Sequence, residues 1–243
     1  QGDVAGYRTG GYTGTNPTST IDKFPFASDA NATATGDMIA ARVDNTGAFS
    51  PSHGYAAGGY RSYPPFSPPY STNRIEKFPF SVDADTTDVA NLSPNTSGAT
   101  GLSSPTHGYA VGGVNPPPST HFNSIQRFPF VTDANATNVG NLISNLDEAG
   151  RTGCMNNEAG YVNGGQIPPN TDVIQKFPFV TDGNAVQVGN LTTTRYHASG
   201  NSSTSHGYVS GGYGPFWTNI IEKYGFVKYA FADDEIDYSK YDA

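Results

Sequence analysis

Cysteine is almost absent. Cys154 stands alone in 243 residues, so no internal disulfide can staple the fold, and a lone thiol with no base near it reads as a small buried residue rather than a nucleophile. Charge is sparse too: 14 % of residues are charged and the formal net charge is −8. No basic run or stripe exists, which argues against a nucleic-acid partner. No apolar run approaches the roughly 18 residues of a membrane span, so membrane insertion is not expected. Gln1 opens on a polar, glycine-rich stretch without a signal-peptide pattern. Capped helical stripes are missing, so helix content should be small. Gly-x-Ser-x-Gly, His-Glu-x-x-His and a phosphate-binding glycine loop are also missing, so the expectation is a protein that is not an enzyme and needs no cofactor.

Turn formers and aromatics are abundant: Gly 29, Pro 18, Tyr 15 and Phe 14. That mixture suits many short strands joined by many turns, with aromatic rings supplying the buried area. The residues also recur. Gly-Tyr-x-x-Gly-Gly begins at Gly6, Gly54, Gly108, Gly160 and Gly207, at spacings of 48, 54, 52 and 47 residues. Each copy is followed by an apolar stretch: Lys23–Phe26, Lys77–Phe80, Arg127–Phe130, Lys176–Phe179 and Lys223–Phe226. A period near 50 is the mark of a propeller or a stacked array.

The third unit shows how one repeat works. His107 to Gly113 reads as a short strand closing on a glycine pair, where positive φ or close approach is needed. A variable, proline-rich loop follows. Ile125 to Phe130 alternates apolar and polar, as a half-buried strand does. Its proline predicts a strand end, a bulge or an unpaired N–H. Asp133 to Thr137 is turn chemistry, Val139 to Leu142 a third strand, and a more polar fourth strand leads into the next Gly-Tyr.

Such a unit resembles a kelch-type β-propeller blade, through its glycine pair, its Ile-x-Lys-Phe strand, its Asp-led turn and its return strand. In the fourth unit the likeness extends to Arg195, His197 and Ser199. Val-Gly-Asn-Leu stands where kelch blades usually carry Trp, which marks a divergent branch. Phe-Pro-Phe, Asp133 to Thr137, Val139 to Leu142 and Ser202 to Gly212 are also similar to a repeat of marine bacteriophage structural proteins. The resemblance implies an all-β fold: a propeller of kelch-like four-stranded blades, about five of them, the last divergent or incomplete. It places the propeller in residues 1–231 and an acidic tail in 232–243. Unit one departs with Thr35 to Met38, unit four with Asn157 to Ala159 before Gly160, and unit five stops after its second strand. An open or intermolecularly completed ring is the second possibility.

Three groups are candidates for chemistry. His53, His107 and His206 share one repeat position; a metal ring is conceivable there, but a repeated hydrogen bond is the simpler reading. The Asp-led turns at Asp29, Asp83, Asp133 and Asp182 resemble the opening of a calcium loop but lack its later Gly and Glu. The loops after each Gly-Gly carry the variation: Tyr63, Phe66 and Tyr70 in unit two, His121 and Phe122 in unit three, and Phe216 and Trp217 in unit five. Proline-stiffened aromatics on one face suit partner or glycan contact. The resulting expectation is a non-enzymatic virion part (tail, fibre or capsid surface) that binds virion proteins, its own copies or a host-surface glycan. The alternative is a secreted or cell-surface bacterial carbohydrate-binding propeller with a possible hydrolytic role.

Overall fold

The computed structural model describes residues 2–61, 71–115, 120–145, 152–166 and 170–226. Expectations that fall on Tyr63, Phe66, Tyr70 and the acidic tail lie outside them. All elements among the described residues are strands, and five antiparallel sheets form the blades of a β-propeller. Blade one holds β1 (Ala5–Tyr12), β2 (Pro17–Pro25) and β3 (Thr33–Asp37). Blade two holds β4 (Thr46–Phe49), β5 (His53–Ala57), β6 (Arg74–Pro79) and β7 (Thr87–Asn91). Blade three begins with β8 (Thr100–Ser103) and β9 (His107–Val111). A small ribbon, β10 (Val114–Asn115) with β11 (Thr120–His121), leads to β12 (Ser124–Pro129) and β13 (Thr137–Asn141). Blade four holds β14 (Gly153–Met155), β15 (Ala159–Gly165), β16 (Thr171–Pro178) and β17 (Val186–Asn190). Blade five has β18 (Ser199–Ser202), β19 (His206–Ser210) and β20 (Ile221–Gly225).

Blades and sequence units are out of phase. Each unit opens on the second strand of a blade, and its last strand becomes the inner strand of the next. Blade one therefore shows no inner strand among the described residues, and blade five no outer one. The proline of each Phe-Pro-Phe sits at a strand end, as Pro79 opposite His53 and Pro129 opposite His107 do. A bulge lies upstream, between Ile75 and Glu76 and between Ile125 and Gln126. The glycine pairs end the second strands with positive φ, +67° at Gly112 and +94° at Gly113, a region L side chains avoid.

The apolar core is not one mass. Four clusters fill the four junctions between successive blades: Ile21 with Phe78, Tyr55 with Phe128, Tyr109 with Phe177, and Tyr161 with Val209. The same device closes each junction. The first Phe of Phe-Pro-Phe lies across the glycine of its own Gly-Tyr; a Cβ on Gly54 would sit 2.2 Å from Phe78, and one on Gly108 2.2 Å from Phe128. The preceding blade's Tyr then covers both phenylalanines. Tyr55 is tilted on Phe128 at 5.7 Å and stacked on Phe130 at 4.9 Å; Tyr109 meets Phe177 at 5.8 Å and Phe179 at 4.7 Å. Offset and edge geometries of this kind add to the gain from burial.

Candidate functional site

The loops joining second to third strands leave from one end of the ring, beside the loops that lead into each new blade. Tyr213 follows the glycine pair of blade five and bridges Tyr196 in the incoming loop; Tyr60 bridges Val43 and Val114 bridges Ser97 in the same way. Trp217 bridges back to Tyr213, their rings edge-on at 5.1 Å. Tyr213 rests in turn on Tyr196 at 5.5 Å. The Gly214 N–H donates to the Phe216 carbonyl at 3.1 Å, and the Thr218 N–H donates to the Gly212 carbonyl at 3.1 Å. Only glycine fits at 214, where a Cβ would lie 2.4 Å from the Thr194 carbonyl. This braced loop holds two large apolar side chains in water, Phe216 at 82 % and Trp217 at 73 % exposure.

The other expected contact residues are placed differently. His121 ends β11 and Phe122 follows it; both are half-buried, and the Phe122 N–H donates to the Gly113 carbonyl at 2.9 Å. They belong to blade three, whereas Phe216 and Trp217 belong to blade five. Exposed Tyr12 on blade one shares the loop end. In sequence it passes for an ordinary strand residue after a Gly-Gly.

The opposite end carries the axial mouth. A cavity of about 800 Å³ opens there, lined by the first turns of blades two to five and by Asp3 of blade one. The turns repeat one design. Oγ of Ser50, Ser104 and Ser203 accepts the N–H of His53, His107 and His206, each at 3.0 Å. Asn156 does the same in blade four, accepting from Glu158 and Ala159. Each of the three histidines shares Nδ1 with a hydroxyl at 2.8 Å, from Ser52, Thr106 or Ser205. Burial, and then Lys77 and Arg127, hold His53 and His107 below the usual imidazole range. These histidines therefore serve a repeated hydrogen bond.

The Asp-led turns are clips between blades. Lys23 pairs with Asp83, Lys77 with Asp133 and Arg127 with Asp182, each cation reaching the following blade at 3.0, 2.7 and 2.5 Å. Two residues on, Asp85, Asn135 and Asn184 accept the N–H of Asp37, Asn91 and Asn141 on the preceding outer strand, at 2.9 Å in each case. At Asp83, Asp133 and Asp182 the Asx chemistry that resembles a calcium loop is thus engaged by protein, whereas Asp29 in blade one is exposed. Cys154 is buried beneath the Tyr208 carbonyl, and burial pushes its thiol up, away from the reactive thiolate.

No family model and no curated protein matches the chain.

Reasoning from sequence missed a buried network behind the loop end. In blades two to five the residue before the Lys or Arg of the third strand reaches the incoming loop. Glu76 accepts the Ile39 N–H at 3.1 Å, Gln126 the Ser93 N–H at 2.7 Å, Gln175 the Ile143 N–H at 2.8 Å and Glu222 the Thr192 N–H at 2.8 Å. Where that residue is Glu, a buried arginine neutralises it: Arg42 on Glu76 at 2.5 Å, and Arg195 on Glu222. Where it is Gln126, Thr96 stands at the arginine's repeat position. Aligning the units on their inner-strand glycines brings out the exchange.

Proposed function

We propose that this propeller is a non-enzymatic structural or adhesive module of a virus particle, a tail, fibre or capsid-surface component, and that its loop end contacts a neighbouring subunit or a host-surface glycan. One observation carries the contact reading: Phe216 and Trp217 stand in water on a loop whose backbone is braced on both sides. A rigid aromatic pair loses little entropy on binding and offers an apolar face to a sugar ring or a protein. The viral setting rests on the likeness of the kelch-type Phe-Pro-Phe and Asp-led repeat to phage structural repeats. A secreted carbohydrate-binding propeller is the second reading, and it draws on the axial mouth, where Asp3 and Glu158 line one cavity.

Two measurements test this. Mass spectrometry of density-purified particles should find the chain in stoichiometric amounts; finding it only free or at the cell surface would favour the second reading. Trp217 is the single tryptophan of the chain, so its fluorescence reports the loop directly. Binding of a glycan or partner subunit should shift that emission to the blue. Trp217→Ala should weaken attachment without changing thermal unfolding; unaltered attachment would remove the loop end from the proposal.

A further inference from the structure

We infer that the Trp217 loop is the site for a neutral oligosaccharide, held through the apolar faces of its pyranose rings and not through charge. The inference rests on the loop-end reading proposed above and narrows its ligand to an uncharged sugar.

The first observation is where charge is missing. The loops that follow the glycine pairs, residues 12–16, 60–73, 114–123, 166–170 and 213–220, contain one Lys, Arg, Asp or Glu between them, Arg61. The loop that holds Trp217 has none. The ionised side chains beneath it neutralise each other. Arg195 in the incoming loop donates to the Gly211 carbonyl at 3.2 Å and pairs with Glu222 on β20; the two are 1 % and 14 % exposed. The Glu222 carboxylate also accepts the Thr192 N–H at 2.8 Å and the Thr192 hydroxyl at 2.9 Å. Charge stands instead at the other end of the ring, in the turns of Asp83, Asp133 and Asp182 and at Asp3 and Glu158 in the axial mouth. An ionic ligand would leave water for the Trp217 loop and meet no counter-charge. A neutral ligand loses nothing by that absence.

The second observation is the form of the apolar surface. Trp217 meets Tyr213 at 71° rather than face to face, and one neighbour covers at most one side of a ring. At 73 % exposure, an indole face stands open to water. Tyr213 is backed in turn by Tyr196 at 5.5 Å. A pyranose carries axial C–H groups on one side, and that side lies flat on an open aromatic face. Phe216 before Trp217, and Ile220 and Ile221 after it, are exposed as well. The strip is therefore longer than one sugar ring and suits an oligosaccharide. Exposed Asn219, Thr192 and Thr193 supply amide and hydroxyl groups on the same two loops, the neutral donors and acceptors that sugar hydroxyls need. A stable subunit interface asks for about 800 Å² from each partner and a charged rim that steers encounter. The Trp217 loop, with Arg195 and Glu222 paired beneath it, offers no such rim.

The test presents the full 243-residue chain to neutral gluco- and galacto-oligosaccharides and, beside them, to oligosaccharides ending in sialic or uronic acid. Neutral oligomers should bind saturably, and Trp217 emission should move to the blue in the same titration. The dissociation constant should change less than about twofold on raising the salt, since there is no exposed ion pair to screen. Chelating divalent cations should leave it unaltered. Trp217→Ala should weaken binding roughly tenfold or more with thermal unfolding unchanged; Trp217→Phe, which keeps a smaller aromatic face, should retain part of it. Preference for the acidic sugars, or steep weakening by salt, would overturn the inference. So would failure of every oligosaccharide to bind, or neutral binding that Trp217→Ala leaves intact. The loop-end reading is judged separately: if Trp217→Ala weakens attachment to a partner subunit while no sugar binds, the contact face stands and the neutral-sugar inference alone falls.

Discussion

At the scale of single residues, the buried pair Arg42 and Glu76 gives the sharpest expectation. Both side chains are at most 1 % exposed. Removing the cation strands a carboxylate in the interior, which costs about 3–5 kcal/mol. Blade three shows the neutral alternative, Thr96 with Gln126. Arg42→Thr should therefore lower the urea midpoint steeply, and Arg42→Thr with Glu76→Gln should recover most of the loss. Additive losses in the double variant would show that the pair is not an exchangeable unit. The histidines give a pH expectation. Burial keeps His53 and His107 neutral to lower pH when folded, while in the unfolded chain they titrate near about 6.5. Below that value the unfolded chain binds protons that the folded one refuses, so their contribution is intact above it and lost as pH falls through it. Replacing both with Gln should flatten the fall of the thermal midpoint between about pH 7 and pH 5; an unchanged slope would mean the imidazoles carry none of it.

Elements are held together by the Tyr-on-Phe-Pro-Phe junction. Tyr109 is 1 % exposed beneath two rings of the next blade, and Tyr109→Ala should cost about 3–5 kcal/mol in chemical denaturation. Tyr208 has the same place in blade five, but among the described residues its ring meets His206 and the Lys223 ammonium. Phe24 and Phe26, the rings it would cover in a sealed circle, are 42 % and 48 % exposed. Tyr208→Ala should accordingly cost well under half as much. Equal costs for the two would mean that the ring seals in solution between blades five and one. Much of this device is visible in the sequence. The Gly-Tyr and Phe-Pro-Phe words, the Asp-led turn and the strand-ending proline can all be read from one unit. Their joint meaning cannot, because the glycine serves its own blade's Phe while the Tyr serves a blade some 50 residues on, a distance at which periodicity says nothing about contact. The Asp-led turns illustrate this: composition suggests an ion loop, and only the fold brings Lys77 to Asp133.

For the whole molecule, the period near 50 was enough to give five blades, and the chain's layout explains what it left out. Periodicity fixes the length of a unit but not its phase, so the inner strand of each blade lies hidden at the tail of the preceding unit. That offset leaves blade one without an inner strand among the described residues. The contact face was legible only in part. Aromatics after Gly-Gly mark the loop end, yet nothing in the words themselves separates Trp217, held out in water, from half-buried Phe122. What separates them is the tight return through Gly214.

The junction design has a consequence for how such a chain can change. From blade one to blade four the junctions use the same male and female halves: a Tyr and a cation forward, a Phe-Pro-Phe and an Asx turn backward. An in-frame duplication or a crossover between misaligned copies would therefore join surfaces that already fit, adding or removing a blade in one genetic event. Point changes at the junctions are constrained by both partners at once, whereas Phe216 and Trp217, beyond the glycine pair of blade five, stand in water. Novelty should accumulate there, in the insertions that carry Tyr63 to Tyr70 and Phe216 to Trp217, while the blades beneath stay interchangeable.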